Sequence, residues 1–173
     1  WVGLHGGRVL WVRAENYGVF LPEGPKDRSE ALQWLMFQMG GVGPMMGQAM
    51  YFQRIAAPNG QENPFAIKRY VDESRRLLEV LNTRLEGRDW LAGDAMSVAD
   101  IATSPRALAD PWGKTSVEGL GALQHWFAPL DARPAVQKAL SIPKSVPACW
   151  GDADEAAFVA ENADRFAGDV NKK

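Results

Sequence analysis

At 173 residues the chain has room for one domain with a sizeable core, while two full domains would be a squeeze. Its 19 Lys and Arg against 21 Asp and Glu leave a formal charge of -2, which removes the electrostatic case for nucleic acid or an anionic membrane and keeps small ligands and proteins open as partners. The single cysteine, Cys149, cannot form an internal disulfide and fits a reducing compartment, so a cytoplasmic location is expected.

No apolar run approaches the ~20 residues needed to span a bilayer. The start, Trp1 to Leu10, is interrupted by His5, Gly6, Gly7 and Arg8 and does not read as a signal peptide. Trp rather than Met at position 1 is read as a start inside a longer reading frame or after processing. Val9, Leu10, Val12 and Ala14 then predict a short helix from Val9 to Tyr17, ended by Gly18. Leu21-Pro22-Glu23-Gly24-Pro25 resists helix and sheet alike, so a linker is placed at 22–26.

From Asp27, Ala31, Leu32, Trp34, Leu35 and Met39 recur at helical steps until Gly40-Gly41-Val42-Gly43-Pro44, which is expected to kink or break the helix. Helical character resumes from Met45 to Ile55 and stops at Pro58-Asn59-Gly60. Asn63 can cap a helix with Pro64 at its first position, where a missing N–H costs least. Ile67, Tyr70, Val71, Ser74, Leu78, Leu81 and Leu85 line one face of that helix up to Gly87. A turn at Trp90 to Asp94 leads to a helix opened by Ser97. Leu120, Leu123, Trp126, Phe127 and Leu130 form another stripe, and a short helix follows Arg133-Pro134 as far as Leu140. Past Pro143, Ala156, Val159, Ala163 and Phe166 suggest one amphipathic tail helix. No segment alternates as a strand would, so the expected fold class is all-α. The expected division is a short N-terminal piece at 1–21, a helical domain at 27–145 and a tail at 146–173.

Ser97-Val98-Ala99-Asp100 sets a hydroxyl three residues before a carboxylate. The spacing predicts a capping box in which Ser97 accepts from the Asp100 N–H and Asp100 reaches back to the Ser97 N–H. Met96 and Ile101 are spaced for a hydrophobic staple. Removing such a cap costs about 1 kcal/mol. By itself the pattern marks a helix start and carries no chemistry.

Arg84 to Asp94, continuing through Ser97-Val98-Ala99-Asp100-Ile101-Ala102, closely resembles the signature of the helical C-terminal domain of glutathione transferases. Trp126-Phe127 and Ala132-Arg133-Pro134-Ala135-Val136 are similar to the same family. Leu32 to Gln38, with Gly40 to Gln48, resembles its bacterial nu-class subgroup, whose members use glutathione and often reduce disulfides. The resemblance covers about Leu4 to Pro143. It implies a glutathione-dependent transferase or disulfide-bond reductase acting on a small electrophilic or disulfide substrate, with glutathione as co-substrate, no metal, and a homodimeric assembly.

That family binds glutathione mainly through a thioredoxin-like N-terminal domain. Here the first proline is Pro22, so the expectation is that this domain is largely missing and that 1–21 keeps only its last helix. His5 and Gly6 then stand where a Glu-Ser pair would hold the γ-glutamyl end. His5 can hydrogen-bond but supplies no carboxylate, and Gly6 has no hydroxyl. Arg69, in Ala66-Ile67-Lys68-Arg69-Tyr70, matches a segment whose arginine approaches glutathione, and its fork suits a carboxylate. A solvent-facing helix arginine is the plainer alternative. Met45, Met46, Gln48, Met50, Tyr51 and Phe52 resemble the lining of the acceptor pocket; core packing and a dimer interface are equally open readings of them. After Ser104-Pro105 the family continues with an aromatic residue where this chain has Arg106, so the helix is expected to end early or to turn that position outward.

With only His5, His125 and Cys149 available, a metal centre or Cys/His catalytic pair lacks raw material, and no catalytic residue is assigned. The competing reading is a non-catalytic helical dimerisation or interaction domain, retained after loss of the glutathione-binding half.

Overall fold

The computed structural model describes residues 3–107 and 115–140, with side chains at 7–104 and 115–139. Every regular element among them is helical: α1 (Gly3–Tyr17), α2 (Pro25–Phe37), α3 (Gly43–Tyr51), α4 (Pro64–Leu85), α5 (Val98–Ala107), α6 (Gly121–Asp131) and α7 (Pro134–Leu140). The suggested tail helix and Cys149 lie outside the described residues.

α1 begins six residues before the expected Val9. Glycine at position 7 allows it to lie close against the molecule. A Cβ there would meet the Met39 side chain at 3.1 Å. Leu10 and Trp11 are half-buried and Ala14 is buried on the inner face, and the helix packs on α5. Arg28 of α2 bonds Glu15 at 2.5 Å and lies over the Trp11 ring.

The expected break at Gly40 to Pro44 does not occur. Gln38–Val42 forms a π-helical turn, with the Gly43 N–H donating to the Gln38 carbonyl five residues back, and the rod continues into α3. Widening the helix by one residue at this point leaves Pro44 in the first turn of α3, where it has no N–H to place. Glycine gives room beside it, because a Cβ on Gly43 would crowd the Gln38 carbonyl oxygen at 3.2 Å. A second π turn at Phe52–Ala56 ends the rod, with the Ala57 N–H donating to the Phe52 carbonyl at 3.2 Å.

α4 is the central element, packed against α3 on one side and α6 on another. Asn63 caps it as expected, its Oδ1 accepting from the Ala66 N–H at 3.0 Å. Leu77, Leu78, Leu81 and Leu85 supply its buried face, joined by Trp34, Val42 and Met46 from the rod, Leu91 and Ala99, and Leu120, Leu123, Trp126 and Leu130 at α6. Each fully buried leucine contributes about 1.5–3 kcal/mol of transfer free energy. Arg84 locks α4 to the rod and the following turn: it pairs with Glu30, donates to the Leu91 carbonyl at 2.9 Å, and covers the Trp34 ring.

The α5 cap differs in detail from the expected box. Ser97 Oγ accepts from the Ala99 N–H at 3.2 Å rather than from Asp100, and also donates to Asp100 Oδ2 at 2.8 Å. The reciprocal half holds, with the Ser97 N–H donating to Asp100 Oδ2 at 2.8 Å. Asp100 Oδ1 takes two further bonds, from the Leu91 N–H and from Trp126 Nε1, each at 2.9 Å. The Val98 N–H is met by the Phe20 carbonyl at 2.9 Å, and Phe20 adopts φ +61°. A left-handed conformation is uncommon for a bulky residue. Nor does the helix stop before Arg106; its backbone stays helical through Ala107.

Candidate functional site

A concavity of about 610 Å³ lies open beside α3 and α4 and is lined by Met45, Phe65, Lys68, Arg69, Tyr70, Asp72, Glu73 and Arg76. Local sequence explains it. Pro64 and the Asn63 cap start α4, and the residues at 65, 69, 72 and 76 then recur at helical spacing on its outer face. Met45 comes from the first turn and a half of α3, brought alongside by the π turn.

Two of the three cations in the groove are already paired. Lys68 bonds Asp72 at 2.5 Å, and Arg76 grips Glu73 with both Nε and Nη2, at 2.8 and 2.7 Å. These hydrogen bonds from Arg76 hold the Glu73 carboxyl below its ordinary value; its slight burial opposes this, and the charges of Arg76 and Arg69 add to the lowering. The Arg76 guanidinium is held correspondingly above its own ordinary value by the same bonds. Arg69 donates to no carboxylate among the described residues. Its guanidinium is exposed beside Met45, Tyr70 and the 78 % exposed Phe65, so the groove offers one unmatched cation next to an apolar and aromatic wall.

Of the residues singled out in the sequence, Met45 and Arg69 meet in this groove. Phe52 stacks on Tyr70, 5.6 Å between centroids and 11° between planes, with Tyr51 edge-on to Phe52. Met46 instead points into the core at 3 % exposure, and Gln48 is exposed on α3. His5 and Gly6 lie on the first turns of α1, which packs against α5 and the first π turn, and their side-chain surroundings fall outside the described residues. His125 is exposed on α6. Sequence reasoning passed over Phe65, Lys68, Glu73 and Arg76; the available signal was a large apolar residue at 65 on the polar side of a strongly amphipathic helix.

Among the described residues no three His, Cys, Asp or Glu side chains are placed to hold a metal ion, and no helix is long and apolar enough to cross a membrane.

An all-helical domain locked by a buried capping carboxylate, with an open groove of charged and aromatic side chains on its longest helix, defines a helical bundle of the kind that carries a site on its surface. The family model for the C-terminal domain of glutathione S-transferases matches residues 44–138. The chain belongs to the glutathione S-transferase family. It is 42 % identical over 134 residues to the disulfide-bond oxidoreductase YfcG of Escherichia coli, covering 78 % of this chain and 61 % of that protein. A second disulfide-bond oxidoreductase of that organism, YghU, is 32 % identical over 139 residues, covering 76 % and 47 %. The crystal structure of a glutathione transferase from Pseudomonas putida, with one glutathione disulfide bound per subunit, superposes with a TM-score of 0.72 at 41 % identity over 79 % of this chain and 61 % of that one. One from Burkholderia graminis, with two glutathione molecules per subunit, gives 0.71 at 41 % identity over 80 % and 59 %. The chain thus spans about three fifths, at most, of the length of these relatives.

Proposed function

We propose that this chain is the helical part of a glutathione-dependent disulfide-bond oxidoreductase, in which the α3–α4 groove serves glutathione and its disulfide partner. The observation that carries this reading is the 42 % identity to a disulfide-bond oxidoreductase across most of the chain. Glutathione supplies the thiolate that attacks one sulfur of a disulfide; the disulfide's S–S bond breaks, its other sulfur leaves as a thiolate, and glutathione ends in the mixed disulfide. The chain's own residues bind and orient. Arg69, the cation without a carboxylate, takes a glutathione carboxylate by its planar fork, where a bidentate charge-assisted pair is stronger than a neutral hydrogen bond. Met45 and the Phe52–Tyr70 stack supply an adaptable apolar wall for the second substrate, with Tyr51 and Gln48 further along the same helix. Met46 supports that wall from the core side. His5 offers a hydrogen-bonding imidazole and Gly6 an unobstructed backbone for the other end of the tripeptide.

The same reading includes a cytoplasmic homodimer. Phe65, the most exposed of the large apolar side chains described, is the residue a second copy would cover. Light scattering of the chain and of Phe65→Ser tests this, with the variant expected to shift toward monomer.

The decisive experiment is calorimetric titration with glutathione and with glutathione disulfide, alongside turnover of a mixed disulfide. Binding is expected, weakened about tenfold by Arg69→Ala through loss of a charge-assisted pair. Absence of binding by either form, with turnover equal to buffer, overturns the reading for this chain.

A further inference from the structure

Asn59-Gly60 is the single Asn-Gly pair in the sequence. Both residues are exposed in the turn that ends the rod of α3 and the second π turn. Asn59 Nδ2 donates to the Ile55 carbonyl at 2.8 Å, the Gly60 N–H to Ala57 at 3.1 Å and the Gln61 N–H to Ala56 at 2.9 Å. Gly60 sits at φ +76°, closing the helix end in the left-handed conformation, and nothing lies within 4 Å of the place a Cβ would occupy. We propose that Asn59 is a site of spontaneous deamidation whose conversion loosens this end of the rod.

The chemistry needs water and no other reactant. The Gly60 backbone nitrogen, on losing its proton to solvent, attacks Asn59 Cγ. The Cγ–Nδ2 bond breaks, ammonia departs with a proton, and a five-membered cyclic imide is left. Water opens that ring at one carbonyl or the other, giving aspartate or isoaspartate. Glycine favours the attack because its nitrogen carries no neighbouring side chain to crowd the carboxamide. Two hydrogen bonds must open first, the Asn59 bond to Ile55 and the Gly60 bond to Ala57. Both are at an exposed helix end, where local opening is least costly.

Conversion then changes the end of the rod chemically. A carboxylate cannot donate to the Ile55 carbonyl, and it sets negative charge among the helix-end carbonyls, which already carry the negative end of the dipole. The isoaspartate product also lengthens the backbone by one bond within the turn. The nearest consequence falls on the second π turn, which carries Phe52 and its stack on Tyr70.

The test is peptide mass mapping of the full chain after prolonged incubation in mildly alkaline buffer at body temperature. Asn16 and Asn82 serve as internal references, because Tyr17 and Thr83 crowd the attacking nitrogen there. The peptide containing Asn59 is expected to gain the one-dalton difference of amide to acid about tenfold faster than either reference, and Asn59→Gln is expected to stay unconverted. Conversion of Asn59 no faster than the references overturns the site. Asn59→Asp, which copies the direct product, is expected to melt about 2–4 °C lower. An unchanged melting temperature overturns the claimed loosening, independently of any glutathione chemistry.

Discussion

The start of α5 and the groove on α4 use the same materials, carboxylates, backbone amides and aromatic rings, to opposite ends. At α5, Asp100 is fully buried, and its two oxygens take four hydrogen bonds from three separate stretches of chain. On α4 the ion pairs lie in solvent, Arg69 has no carboxylate of its own, and Phe65 is 78 % exposed. Buried polar groups are costly unless satisfied, so the first region can exist only as a closed network and it fixes the fold. Exposed pairs are worth little to stability, so the second region is free to serve a ligand or a partner.

Substitutions at Asp100 test that contrast most severely. Asp100→Ala strands the Ser97 and Leu91 N–H groups and Trp126 Nε1 in the interior. Each orphaned donor costs about 1–3 kcal/mol, so a total loss of at least about 3 kcal/mol in chemical denaturation is expected, a large share of a small domain's stability. Trp126→Phe is milder, about 1–2 kcal/mol, since it keeps most of the apolar volume and leaves an acceptor that retains other donors. The two substitutions should be strongly non-additive, because they share one hydrogen bond. Ser97→Ala removes the Oγ contacts to Ala99 and Asp100 and is expected to cost about 1 kcal/mol. Were Asp100→Ala no worse than Ser97→Ala, the network would be an ordinary helix cap and the contrast would fail.

The sequence made these two regions legible to different degrees. Ser97 and Asp100 stand three residues apart, so the cap could be read from local spacing. The bonds from Leu91 and Trp126 join residues 9 and 26 positions from Asp100, and no local pattern announces them. The helices followed their apolar periods, yet Gly40 to Pro44 looked like a break because a π turn is one way for a chain to pass a proline that the 3.6-residue period does not contain. The methionines at 45 and 46 are neighbours in sequence but diverge in space, one toward the groove and one into the core, because adjacent helical residues point about 100° apart. For the groove, family resemblance pointed to Arg69. Which carboxylates its neighbours would capture depends on rotamers along α4, and only the folded side chains show that Glu73 and Asp72 are already taken.

The smallest predicted stability change carries the sharpest contrast. Glu73 is held below its ordinary value of 4.5 by the hydrogen bonds from Arg76. A carboxyl with a depressed folded-state pKa contributes stability that is fully present above its unfolded value and is lost as pH falls through the folded one. Parent and Glu73→Gln should therefore differ slightly at neutral pH, in the parent's favour, and converge in acid. Salt should shrink the neutral-pH difference, because the pair is exposed. Melting temperatures of the two proteins across the acid range check this, and a difference that persists unchanged in acid would rule out the Arg76 pairing as its source. The same substitution removes a negative charge that competes for Arg69, so glutathione binding should tighten slightly as stability slips. A single change with opposite signs in the two assays is what an open site allows, and no change at Asp100 should produce it.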